Sequence, residues 1–277
     1  MEGPSNAESS SKDPVKDGWN PDINQDEAII AQQRQIEKDI ADSIKLVGDK
    51  MDLSFLLSEY PDEDDVYKNK IKSLLKKYHL LRRTRPDGNC FFRGFTFAYF
   101  EYLITDAQEL DRFIDVSNKI KDDLIALGFP SFTIEDIHEN FMNALNSLKT
   151  KEVSNEEQLL NLFNEQGTSD YLVVFMRLLT SGYLQKNQEF YSSFLDSGLT
   201  MKNFCSHEVE PLNKESDHIH IIALTSAIGV GVCINYLDRA QGDQVTVHYF
   251  PDNCDPKIYL LYRPGHYDIL YLRKDDV

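Results

Sequence analysis

Basic charge in this chain falls well short of acidic charge. Its 277 residues hold 29 Lys and Arg against 46 Asp and Glu, a formal net charge of −17. Binding a phosphate backbone takes a dominant basic surface, so no nucleic acid is expected as a partner, and basic protein surfaces are the better match. Long apolar runs are missing as well. No stretch approaches the roughly 20 residues that a membrane-crossing helix needs, and no membrane association is expected. The opening "MEGPSNAESSSKDP" has neither the basic start nor the apolar stretch of a secretory signal. A cytoplasmic protein with access to the nucleus is expected. Cysteine is scarce: Cys90, Cys205, Cys233 and Cys254 are dispersed and form no C-x-x-C pair, which disfavours a disulfide framework and fits a reducing compartment.

Against these absences stands 41% hydrophobic and 11% aromatic content, enough for one large core with an appendage. Residues 1–22, rich in Ser, Asn, Pro and charge, read as a disordered acidic tail. From Asn24, the residues Ile29, Ile36, Ile40, Ile44 and Val47 recur on one helical stripe, so 23–47 reads as an amphipathic arm, with the main domain over 48–277. Residues 1–65 carry seventeen acidic and six basic side chains, whereas 66–85 carry eight basic and no acidic ones. The second segment reads as a solvated helix face paired with the first; a positive stretch running into Cys90 would also favour a thiolate there.

Helical patterns dominate the first two thirds, over about 52–59, 64–80, 90–104, 106–127, 133–148, 155–165, 168–186 and 189–207, with Thr133 as a helix cap. "SDHIHIIALTSAIG" makes a further helix closed by Gly229. The texture then changes to short Val-, Ile- and Tyr-rich runs, "VGVCINYLD", "QVTVHYF", "KIYLLYRPG" and "HYDILYLR", which read as consecutive antiparallel strands. Segregated helices and strands give an α+β fold.

"RPDGNCFFRGF" puts Cys90 after an Asp-Gly-Asn turn and ahead of an aromatic helix. Gly88 permits a left-handed turn and Asn89 is a favoured cap, so Cys90 falls in the first helical turn, where free N–H groups and the helix dipole favour an anion. Those N–H groups, from Cys90 and from the turn around Asp87 and Gly88, are candidates for an oxyanion hole. A nucleophile needs a base, and the base an orienting group. "RPGHYDILYL" supplies both, because residues two apart on a strand share a face and His266 and Asp268 therefore project together. A cysteine on an early helix followed by His and Asp on a late strand is the order of papain-like peptidases. Cys205 with His207, and Asp217 with His220, have no second pair at zinc-like spacing; no metal and no cofactor are expected. Cys233 reads as a small buried hydrophobe and Cys254 as a loop residue.

With these residues in view, the chain resembles the otubains, a branch of the ovarian-tumour (OTU) family of deubiquitinating cysteine peptidases. The cysteine box is "RPDGNCFFRGF" and the histidine box "YLLYRPGHYDILY", with similarity also in "DEAIIAQQ", "FTIEDIH", "TSDYLVVFMRLLTSGYLQ" and "EVEPLNKESDHIHIIAL". The resemblance spans about residues 23–272. It implies a papain-like OTU fold, helix-rich with a mainly antiparallel C-terminal sheet. It further implies Cys90 as nucleophile, His266 as general base and acid, Asp268 as its orienting residue, and Asp87 in the loop shaping the oxyanion hole. The reaction implied is hydrolysis of ubiquitin–lysine isopeptide bonds through an acyl-enzyme, with preference for the chain linkage that targets the proteasome, the arm contributing to a proximal-ubiquitin site. Implied partners are ubiquitin, polyubiquitin and E2 conjugating enzymes, and a second activity is implied in which ubiquitin-charged E2 enzymes are bound and blocked without cleavage. A monomer is expected.

Overall fold

The computed structural model describes residues 29–32, 35, 36, 39, 43–196 and 198–273. The expected acidic tail over 1–22 and the start of the arm lie outside the described residues. The chain divides into two units, 1–39 and 40–277. In the first, the described residues are helical, and Ile29, Ile30 and Ile36 are exposed.

The second unit opens with β1 (Val47–Asp52) and a 3-10 turn, Leu53–Glu59. There follow α1 (Asp65–Lys77), β2 (Tyr78–Thr84), α2 (Cys90–Thr105), α3 (Ala107–Ala126), α4 (Ser131–Lys149), α5 (Glu156–Asn164), α6 (Gln166–Lys186), α7 (Gln188–Tyr191), α8 (Met201–Phe204) and α9 (His218–Ile228). The chain ends in β3 (Val232–Tyr236), β4 (Thr246–Phe250), β5 (Ile258–Arg263) and β6 (His266–Leu272). Short polar side chains start several helices: Asp64, Asp106 and Asn155 each accept a backbone N–H from the first turn of α1, α3 and α5. Gly229, at φ 71°, closes α9 in the left-handed region.

One six-stranded sheet runs in the order β1-β2-β6-β5-β3-β4. Four of its five pairings are antiparallel, but β3 and β5 are parallel. The C-terminal strands therefore do not pair in simple succession: β4 folds back on one side of β3, and the 251–257 connection carries the chain to the other side. The sheet is mainly antiparallel, as the resemblance implied. Two strands replace expected helix. Val47 already starts β1, and the helix read over 64–80 ends at Lys77, because Tyr78 pairs with Leu272 and Arg82 with Ile269 in β6. Arg82 and Arg83 disguise β2 as a helix surface, although Arg82 is fully buried. The 52–59 segment is a 3-10 turn, 189–207 breaks into short helical pieces, and α4 starts at Ser131 on the carbonyl of Pro130, which leaves Thr133 inside the helix rather than at its cap.

α2 is the axis of the core. Phe91, Phe92, Phe95, Phe97, Tyr99 and Phe100 are each 0–1% exposed, on every face of one helix rather than one stripe. It packs on β5 and β6 on one side and on α3, α5 and α6 on the other. Phe97 meets Phe163 edge-on at 5.1 Å and Phe100 meets Phe141 at 6.0 Å. Each such ring contributes about 1.5–3 kcal/mol by burial, and this anchors the helix whose first residue is Cys90.

Candidate active site

β2 and β6 lie side by side, and α2 packs against β6, so the start of α2 and the start of β6 come together at one end of the sheet. Arg263 and His266 face each other across the β5–β6 hairpin. Its two-residue turn is Pro264, which presets φ, followed by Gly265 at φ 76°, a conformation that an L side chain rarely adopts.

Asp268 is fully buried and wholly satisfied. Its Oδ1 accepts His266 Nε2 at 2.9 Å and the Thr84 N–H at 3.1 Å, and its Oδ2 accepts Arg263 Nη2 at 2.6 Å. Burial alone would push its carboxyl up, but the His266 hydrogen bond and charge, with Arg263 and the Thr84 N–H, hold it below the usual carboxylate range. The other imidazole nitrogen, Nδ1, is buried and makes no complete hydrogen bond, while the Cys90 thiol lies close enough to act on the ring. For His266, burial works downward; the Asp268 hydrogen bond and the Cys90 sulfur outweigh it and bring the imidazole up to about 9. Cys90 itself is 4% exposed, with Phe91 beneath it set edge-on to Tyr267.

The loop before Cys90 is built by residues that the sequence reading assigned differently. Asn89 precedes α2 but does not cap it with its side chain. Instead its Nδ2 donates to Asn213 Oδ1 at 2.8 Å, and its Oδ1 accepts Asn213 N–H and Arg177 Nη2 at 2.9 Å each. Gly88 has φ 75°, and a Cβ there would stand 2.4 Å from the Asn213 carbonyl oxygen, so only glycine lets the two loops touch. The Asp87 carboxylate is held by both of its oxygens on Arg93 Nη1, at 2.8 and 2.7 Å, and accepts the Asn89 N–H at 2.9 Å. The Asp87 N–H is turned to the Arg85 carbonyl. Asp87 and Asn89 therefore have no backbone N–H to give an oxyanion; the backbone amide of Cys90, which has no intrahelical acceptor, and that of Gly88 are the backbone donors left. Beneath the loop, buried Arg177 donates to the carbonyls of Gly88, Val209 and Lys214 at 3.0, 3.0 and 2.6 Å and stacks on Phe92. Desolvation lowers its guanidinium to about 10 despite the nearby charges of Asp87 and the Cys90 sulfur.

The basic 66–85 segment does not run on as a field toward Cys90. Lys68 pairs with Asp62, Lys70 with Asp238, Arg82 with Glu156 and Arg83 with Glu59, and Arg85 binds the Ile44 carbonyl and Gln166. The other cysteines, with His207 and His220, take structural places. Burial pushes the Cys205 thiol up to about 12 and also raises Cys233 and Cys254. His220 and Asp217 form a reciprocal cap at the start of α9, and His207 binds the Asn203 carbonyl at 2.7 Å. Among the described residues no group of three or more His, Cys, Asp or Glu gathers into a metal set, and no helix is long and apolar enough to cross a membrane. A cleft of about 570 Å³ opens at the far end of α2, beside Thr105, Tyr259 and Leu272, and shares no residue with the Cys90 site.

The otubain model, Peptidase C65, matches residues 39–272. The chain belongs to the Peptidase C65 otubain family. This otubain is 52% identical to the human ubiquitin thioesterase OTUB1 over 246 residues, covering 89% of this chain and 90% of that protein. It is 36% identical to human ubiquitin thioesterase OTUB2, covering 83% and 96%. The fold matches the solved complex of h/ceOTUB1 with ubiquitin aldehyde and UBC13~Ub at a TM-score of 0.86 and 36% identity, across 91% of this chain and 100% of that one. The corresponding UBCH5B~Ub complex matches at 0.85. What the sequence reading of this otubain did not single out is the supporting shell of Arg93, Arg177, Arg263 and Asn213. Arg177 carried a readable signal, a lone cation inside the apolar run "LVVFMRLL"; Arg263 and Asn213 carried none, since their partners are remote in sequence.

Proposed function

We propose that this cysteine-type deubiquitinase hydrolyses ubiquitin–lysine isopeptide bonds through a Cys90–His266–Asp268 triad. The observation that carries the reading is the single line of side chains from the first residue of α2 through the His266 ring to the buried Asp268. Cys90 Sγ attacks the carbonyl carbon of the C-terminal glycine of ubiquitin. The carbonyl oxygen becomes an oxyanion held by the amides of Cys90 and Gly88. His266 passes its Nδ1 proton to the departing lysine amine, leaving a thioester on Cys90. Water, deprotonated by His266, then attacks the thioester and releases ubiquitin with a free carboxylate. Asp268 holds the imidazole in place throughout, and Asp87 sets the loop through Arg93. Cys90, only 4% exposed, suits approach by an extended, glycine-ended tail.

Two further elements of the reading concern partners. The exposed Ile29, Ile30 and Ile36 give the arm an apolar face for a second, proximal ubiquitin, and through it a preference for the proteasome-targeting linkage. The non-catalytic alternative, binding ubiquitin-charged E2 enzymes, draws support from the likeness to the two E2~Ub complexes and from Phe132, 84% exposed at the start of α4. Digestion of a panel of differently linked di-ubiquitins by the full chain and by a chain lacking residues 1–39 tests the first reading. Cleavage by wild type, none by Cys90→Ala, and linkage selectivity lost with the arm are expected; cleavage by Cys90→Ala ends it. For the second, Cys90→Ala is expected to suppress chain synthesis by a charged E2 as wild type does.

A further inference from the structure

From the His266 imidazole a line of alternating charge runs to the surface: His266, Asp268, Arg263, Glu59, Arg83. His266 Nε2 meets Asp268 Oδ1 at 2.9 Å, Arg263 Nη2 meets Asp268 Oδ2 at 2.6 Å, and Arg263 Nη1 meets Glu59 Oε2 at 3.0 Å. Arg83 pairs with Glu59 in turn. From Asp268 outward side-chain exposure rises, from 0% through 19% at Arg263 and 23% at Glu59 to 40% at Arg83. The members come from β6, β5, the 3-10 turn and β2, so the line forms only when the fold is complete.

Two physical needs meet here. A buried carboxylate held at one oxygen can swing about its own bond; donors on both oxygens fix its plane. Yet a lone guanidinium on the second oxygen would draw the carboxylate's charge away from the imidazole, because a cation near Asp268 offsets the anion that His266 feels. An anion on the far side of that guanidinium restores the balance. We infer that Arg263 and Glu59 are positioning residues of the reaction: Arg263 fixes the Asp268 carboxylate plane, and Glu59 neutralises Arg263 so that the Asp268 charge stays directed at His266. The inference rests on the Cys90–His266–Asp268 reading. Further polar and charged groups described around this site include Cys90 at the start of α2, Asp87 in the loop before it with its partner Arg93, Thr84 on Asp268, Arg177 from α6, Glu215 packed on Gly265, Asp217 before α9, Tyr236 and Tyr262 beside Tyr267, and Tyr60 beside Arg263. All are unchanged in the variants below.

The test uses the full chain and ubiquitin carrying a C-terminal electrophile. The rate of Cys90 modification is followed across the titration of His266, and kcat and KM are measured on an isopeptide substrate. Glu59→Gln is expected to move the alkaline limb of the rate profile to lower pH by about half a unit to one unit, and to lower kcat several-fold with KM unchanged. Glu59→Asp is expected to restore the limb in part. Arg263→Gln is expected to move the limb the opposite way, to higher pH, because removing the cation returns the whole of the Asp268 charge to the imidazole. Opposite displacements from neighbouring members are the signature of the charge line. A limb left in place by Glu59→Gln, whatever happens to thermal stability, reduces Glu59 to a structural pair and overturns the inference. Labelling that persists in Cys90→Ala removes the nucleophile instead, and so separates failure of the underlying reading from failure of the line.

Discussion

His266 holds its proton because two neighbours outweigh burial. Desolvation of the ring works downward, and only the Asp268 hydrogen bond and charge, with the Cys90 sulfur, bring the imidazole up to about 9. Asp268→Asn keeps the shape and removes the charge. The desolvation then stands with less opposition, the imidazole falls from about 9, and the alkaline limb of Cys90 labelling moves to lower pH while the rate at neutral pH drops on the order of 10²–10⁴-fold. A limb that stays where it was would show that Asp268 does not set the His266 charge. Gly88 offers a second test at this scale. At φ 75°, with the Asn213 carbonyl 2.4 Å from a built Cβ, Gly88→Ala costs about 1–2 kcal/mol for the left-handed backbone alone and pushes the loop off Asn213. Thermal unfolding is expected to shift down, and labelling of Cys90 to slow more than the lost stability explains, since the Gly88 amide is one of the two donors proposed for the oxyanion.

α2 does the work of an element on which everything else is measured. Phe97 lies edge-on to Phe163 at 5.1 Å and under the Arg82 guanidinium at 4.8 Å. Phe97→Ala leaves a cavity at the centre of the fold and is expected to cost about 3–5 kcal/mol in a urea titration; a loss under about 1 kcal/mol would mean that the helix is not the core's axis. The elements that the sequence made legible are those whose signal is local. Cys90 at a helix start, His266 and Asp268 on one strand face, Gly88 and Gly229 at positive φ, and most of the long helices are written in spacing and turn residues. What was not legible depends on remote partners. β2 is a strand because β1 and β6 flank it, and its paired arginines read as a helix surface until Glu156, Glu101 and Glu59 are seen to bury or bind them. Asn89 reads as a cap, yet Asn213, more than a hundred residues on, claims its side chain. The parallel pairing of β3 with β5 follows from the path of the 251–257 connection, which no local periodicity records.

For the molecule as a whole, the same ion pair ties activity to stability through pH. His266 is raised in the folded state from 6.5 to about 9, so its contribution is complete below pH 6.5 and is lost as pH climbs through about 9. Asp268, depressed below its ordinary value of 3.8, contributes above that value and loses it as pH falls. The pair therefore stabilises the fold most between the two, and its alkaline loss has a ceiling of about 3 kcal/mol from the size of the His266 shift. The formal net charge of −17 adds self-repulsion in the same alkaline direction, so the slope of stability against pH in the wild type alone does not isolate His266. The comparison with His266→Gln does, because both chains carry the same remaining anions. Urea titrations stepped from about pH 6 to about pH 9.5 are expected to show the wild-type advantage over His266→Gln shrinking as the imidazole deprotonates. An advantage that holds constant or grows across that interval would mean that the folded chain carries His266 neutral at pH 7, and the proposed reaction would need another proton donor for its leaving amine.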